Sequence, residues 1–123
     1  MNTTLKIFAF IFLCYSGLEA QNTLTDEKSS QELSKGIHLF EQELFDQCIV
    51  YFDRILNNPA NFSESQIFWA SYYKGRANLY SSKSRADDLK IFIQKYQPNP
   101  ATEIARLELA DYYFTKNKYL FPN

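Results

Sequence analysis

Apolar residues recur every three to four positions along most of this chain, the spacing of a helix with one buried face. Leu33, Ile37, Phe40 and Leu44 form the first such stripe and predict a helix over about 29–43. Ile49, Phe52, Ile55 and Leu56 form the second, over about 45–57. Asn57-Asn58-Pro59 closes it, because proline lacks the amide hydrogen a helix interior needs. Ser63-Glu64-Ser65-Gln66 has the spacing of a capping box and opens a third helix that runs to about Tyr80. Ser84-Arg85-Ala86-Asp87 is a looser start signal for a fourth, with Leu89, Phe92, Ile93 and Tyr96 as its face. Asn99-Pro100 starts a fifth, with asparagine as cap and proline at the first helical position. Ile104, Leu107 and the Tyr113-Phe114 pair are its expected buried side. Gln97-Pro98-Asn99 separates the last two helices.

The stripes repeat. A shift of 37 residues carries Leu33 onto Ala70 and Leu107, Phe40 onto Ala77 and Phe114, and Gly36 onto Tyr73 and Ala110. It also carries Ile49, Phe52, Ile55 and Leu56 onto Ala86, Leu89, Phe92 and Ile93. A fixed period of this size is the mark of stacked helical hairpins, each too small to bury both of its faces alone. Two hairpins and half of a third are expected, with short turns forcing antiparallel neighbours.

The residues of the first unit resemble the tetratricopeptide repeat. Gly36 holds the close-packing place of that pattern, Leu39 the aromatic place, Phe45 the turn aromatic, Cys48 the small place, Phe52 the second-helix aromatic and Pro59 the terminator. Leu109-Ala110, Tyr113-Phe114 and Tyr119 match in the last unit. The middle unit departs: Tyr73 stands in the small place and Arg76 in the aromatic place, with Gly75 nearby. The resemblance covers about residues 30–120 and implies an all-α, TPR-like right-handed α-solenoid of about two and a half repeats. The stretch from Phe92 to Tyr119 is similar to repeats of bacterial periplasmic and outer-membrane-associated scaffold proteins. That likeness implies a non-catalytic protein-binding module with a protein or peptide partner. First-helix residues would line its groove: Ile37, Phe40 and Glu41, then Lys74, Ala77 and Asn78, then Asp111, Phe114 and Thr115.

The first twenty residues stand apart. A lysine at position 6, the apolar run from Ile7 to Tyr15 and the small residue Ala20 have the layout of a secretory signal peptide cleaved before Gln21. The run is too short for a spanning helix, which needs ~20 apolar residues. A rival reading lipidates Cys14, but Leu13 precedes it where a small residue is usual. The expected organisation is a signal peptide over 1–20, a polar lead-in over 21–28 and the repeat domain over 29–121. The mature chain would be periplasmic or attached to the outer membrane, through envelope partners or through that lipid. Because a capping helix does not follow the fifth, the repeat domain reads as part of a longer array, or as one that self-associates through that helix.

Composition narrows the remaining chemistry. The 123 residues carry a net charge of −1 and no basic run, so a nucleic-acid partner is not expected. Aromatic residues make up 17%, against three glycines, which suits a packed helical domain. His38 is the sole histidine and has no companions for metal or acid–base work. Cys48 stands where a small buried side chain is required, and no third group is evident to orient a Cys–His pair. Asp87-Asp88 and the Glu41/Glu43 pair fall at helix ends, where carboxylates are solvated or favoured by the helix dipole. No cofactor and no enzymatic activity are expected. Lys74-Gly75-Arg76 either grips an acidic peptide or is ordinary surface charge. Asn61-Phe62-Ser63 matches a glycosylation acceptor only in a eukaryotic export pathway.

Overall fold

A computed structural model describes residues 16–120, with side chains described over 27–117. Of the signal-peptide reading, residues 1–15 lie outside the described residues. Among the described residues the fold is all-helical, with no strand. The helices are α1 (Ser16–Glu41), α2 (Phe45–Leu56), α3 (Glu64–Tyr80), α4 (Asp87–Tyr96) and α5 (Pro100–Leu120), with a 3-10 turn at Pro59–Asn61 between α2 and α3. None of these helices is long and apolar enough to cross a membrane.

α1 begins well before the expected start near Ser29, so the polar segment 21–28 is already helical. No Gly or Pro interrupts the chain from Leu18 to Lys35, so nothing there stops the helix. The other end is sharply set. Leu44 donates its amide to the Leu39 carbonyl at 2.9 Å and Glu43 donates to Phe40 at 2.9 Å. This is the crossed pair of a Schellman ending. Glu43 sits at φ 62° to make it, a left-handed backbone that ordinarily calls for glycine.

Two of the expected helix starts form as read. The Ser63 hydroxyl accepts from the Gln66 amide at 3.1 Å, and the Gln66 side chain accepts from the Ser63 amide at 2.8 Å. Asn99 accepts from the Ala101 amide at 2.8 Å, and Thr102 returns a hydroxyl to the Asn99 carbonyl at 2.7 Å. The Ser84 start does not form. α4 opens at Asp87 with Ala86 before it and no side-chain cap. Ser84 instead lies in a left-handed bend, φ 47°, and its hydroxyl meets the Tyr112 hydroxyl at 2.8 Å.

Each helix packs on the next in sequence, and α3 also packs on α1 and on α5. The core divides accordingly. Cys48, Phe52, Ile55, Ala70 and Ala77 are buried between α1, α2 and α3. Tyr72, Leu79, Leu89, Phe92, Ile93, Ala101 and Ala105 are buried between α3, α4 and α5. Tyr73 packs partly into both clusters. α3 is therefore the shared wall, buried on two sides.

Glycines set the two closest approaches. A methyl group on Gly36 would stand 2.6 Å from Cε1 of Phe52. One on Gly75 would stand 2.9 Å from the Leu89 Cα. Gly75, and not Tyr73, is thus the small residue of the middle hairpin. Gly36 and Gly75 are separated by 39 residues rather than 37. The Tyr73 ring packs edge-on to Phe40 at 5.2 Å and stacks on Phe52 at 6.0 Å.

α5 presents a different face from the one its large residues suggested. Ala101, Thr102 and Ala105 are buried, with Leu109 and Tyr112 packed beside them. Ile104, Leu107, Tyr113 and Phe114 are exposed, Leu107 and Phe114 to 73% and 72%. Small residues let the α5 backbone come close to its neighbours, and the bulky ones are left outside. Ala110, matched to the small place, is exposed as well.

A candidate partner-binding groove

The first-helix residues separate into two sites on opposite sides of α3. One lies between α2, α3 and α4. There the Lys74 ammonium bonds the Asp53 carboxylate at 2.7 Å and approaches Asp88 at 3.9 Å. Asn78 is buried and donates to Asp88 at 2.6 Å. Asp46, Asp53 and Asp88 face Lys74, Lys83 and Arg85 around this cavity, so its charge is balanced.

The other lies between α1, α3 and α5. It is a cavity of about 360 Å³ lined by Phe40, Glu41, Glu43, Phe45, Arg76, Tyr80 and Glu108. Phe40 and Phe45 meet edge to face at 5.4 Å, and the Phe45 and Tyr80 rings lie 5.2 Å apart. The Arg76 guanidinium covers Phe40 at 4.8 Å, Tyr72 at 4.9 Å and Tyr73 at 5.6 Å. Glu108 of α5 holds it from above, with Nε to Oε2 at 2.5 Å and Nη2 to Oε1 at 3.3 Å. Tyr80 donates to the same carboxylate at 3.1 Å.

Burial works against the Arg76 charge, but the Glu108 hydrogen bond and charge outweigh it and raise the guanidinium above its usual range. For Tyr80, partial burial and then the Glu108 charge and hydrogen bond push the phenol up to about 12. Asp111, exposed on α5 and not among the cavity-lining residues, adds a smaller electrostatic contribution to that rise.

The groove residues named from the sequence are thus only partly united. Phe40 and Glu41 line the α1–α3–α5 cavity. Ile37 packs against the core beneath. Lys74 and Asn78 belong to the opposite side, Ala77 is buried, and Phe114 and Thr115 are exposed on α5. Arg76, Tyr80, Glu43, Phe45 and Glu108 were not read as groove residues. The Lys74-Gly75-Arg76 cluster is divided, and each of its cations already has a carboxylate partner. It is not free to grip an acidic peptide.

Cys48 is fully buried and donates its thiol to the Phe45 carbonyl at 3.2 Å. Burial pushes it up to about 11, so it is protonated at neutral pH. His38 is exposed in the last turn of α1.

Comparison with family models, with curated proteins and with solved structures returns no match.

Proposed function

We propose that this chain is an exported, TPR-like protein-binding module or scaffold of the bacterial cell envelope, and that its mechanism is presentation rather than catalysis. The observation that carries this reading is the cavity between α1, α3 and α5, walled by Phe40, Phe45 and Tyr80 and rimmed by carboxylates. Concave sites with aromatic walls and a few placed polar groups are where peptides and partner side chains dock. The packing pattern supports a repeat array. Gly36 under Phe52 and Gly75 under Leu89 perform the same task in successive hairpins, and α3 packs on both α1 and α5, as neighbouring first helices of such an array would. Export rests on the apolar segment near the amino terminus alone. Selection of a displayed random-peptide library on the full chain tests the binding function. Saturable binding of selected peptides supports it, and failure to enrich any peptide contradicts it. Cell fractionation tests the location, with recovery in the cytoplasm as the contrary result.

One observation favours a second reading, a structural subunit that assembles with itself. Ile104, Leu107 and Phe114 form an exposed apolar stripe along α5. Size-exclusion chromatography over a range of concentrations separates the two: a monomer throughout argues against self-assembly.

A further inference from the structure

We infer that the α1–α3–α5 groove takes a basic side chain, Arg or Lys, from an otherwise apolar peptide segment. This inference rests on the module reading and specifies the ligand of its groove.

The charge balance points that way. Glu41, Glu43 and Glu108 line the groove against the single cation of Arg76. The Arg76–Glu108 pair is closed on itself through two contacts, so it offers no charge to a ligand. Glu41 and Glu43 are exposed on the rim. The cavity between α2, α3 and α4 differs in this respect, since its three carboxylates meet three cations. An acidic ligand at the groove would be repelled, and a neutral one would leave the rim charges unused.

The walls suit the same guest. The groove already holds a guanidinium against aromatic faces, with Arg76 4.8 Å over Phe40. Phe45 and Tyr80 provide a second pair of rings beside it. Aromatic faces attract a cation while their apolar bulk packs its methylene stem. The volume of about 360 Å³ lies near the lower end of ligand cavities, which suits a side chain or two and not a folded surface.

The test uses three blocked heptapeptides of Ala and Leu that differ only at the centre: Arg, Gln or Glu. Titration into the full chain should rank them Arg, then Gln, then Glu, with Arg bound about tenfold tighter than Glu. The gap should narrow in high salt, where rim charges are screened. Glu41→Lys with Glu43→Lys should reverse the order, and the paired Glu→Gln variant should flatten it. Glu41 and Glu43 are both exposed, and unchanged melting curves would show that folding is intact. Equal affinity for the three peptides, preference for Glu, a ranking unmoved by the rim variants, or no measurable binding of the Arg peptide would each overturn the inference. The module reading stands or falls separately, on whether library-selected peptides of any composition bind the chain.

Discussion

Arg76 and Glu108 join α3 to α5 by a two-point ion pair, 2.5 Å at the shorter contact, with each side chain only 19% exposed. This is the principal polar tie between the two helices, and it forms the floor of the groove. A pair this enclosed is costly to halve. Glu108→Ala leaves a guanidinium among three rings without its carboxylate, and should lower stability by about 2–3 kcal/mol. Replacing both residues, as Arg76→Met with Glu108→Leu, should cost distinctly less. A double-mutant cycle in urea should give a coupling of about 1–3 kcal/mol. Additive losses would mean that the two side chains do not interact in solution.

The close approach at Gly75 makes a sharper test. Alanine is better than glycine in an exposed helix by ~1 kcal/mol. At Gly75 its methyl group would press on Leu89 backbone, 2.9 Å away, which cannot rotate aside. Gly75→Ala should therefore destabilise by about 1–3 kcal/mol despite the gain in propensity. Tyr73→Ala should also be costly, because it removes a ring packed on Phe40 and Phe52. An increase in stability on Gly75→Ala would place the contact elsewhere.

Glu43 predicts the opposite sign. Its left-handed φ of 62° is a glycine conformation, and Glu43→Gly should stabilise the fold by about 0.5–1 kcal/mol. The same change should weaken binding of the Arg peptide. A variant that gains stability while losing affinity would separate the rim's role from its packing.

Cys48 fixes a pH dependence. Burial raises its thiol from 9.0 to about 11 in the folded chain. The folded state therefore keeps a proton that the unfolded chain releases. This contribution is complete below pH 9 and is lost as the pH rises through about 11, up to ~2–3 kcal/mol. Urea midpoints should fall over that window, and Cys48→Ala should lessen the fall between pH 9 and 10, leaving the part above pH 10 that the raised phenols of Tyr80 and Tyr72 contribute. The native thiol should react with a disulfide reagent only as fast as the chain opens. Rapid labelling at neutral pH would contradict its burial.

The orientation of α5 can be checked in the same way. Leu107→Ser and Phe114→Ser alter exposed positions and should change stability by no more than ~0.5 kcal/mol. Ala105→Leu forces three further carbon atoms into a filled seam and should cost about 1–3 kcal/mol. Reversed sensitivities would mean that the bulky face is the buried one.

These tests also mark where the sequence was readable. Helices α2 and α4 announced themselves, because each has an apolar stripe whose centre is buried as spaced, Phe52 and Ile55 in one and Leu89, Phe92 and Ile93 in the other. The Ser63 and Asn99 starts were readable because side-chain and backbone partners lie within a few residues. α5 misled because periodicity weighs bulk, while packing there selected Ala101 and Ala105 for close approach. The groove was half legible for a geometric reason. The first helices of the two hairpins are offset by 39 residues at their glycines while the second helices keep 37, from Phe52 to Leu89, and two residues turn a helix by about 200°. That turn puts Arg76 and Tyr80, in place of Lys74 and Asn78, on the α3 face that lines the cavity with Phe40 and Glu108. Glu108 could not be found from sequence at all, since only the packing of α5 on α3 brings it to Arg76.

The most direct test of the account is the ¹⁵N–¹H spectrum of the full chain, recorded with and without a library-selected peptide. Shifts should centre on Phe40, Glu41, Glu43, Phe45, Arg76, Tyr80 and Glu108. Shifts confined to the opposite side, around Lys74, Asn78 and Asp88, or a spectrum that does not move, would contradict it.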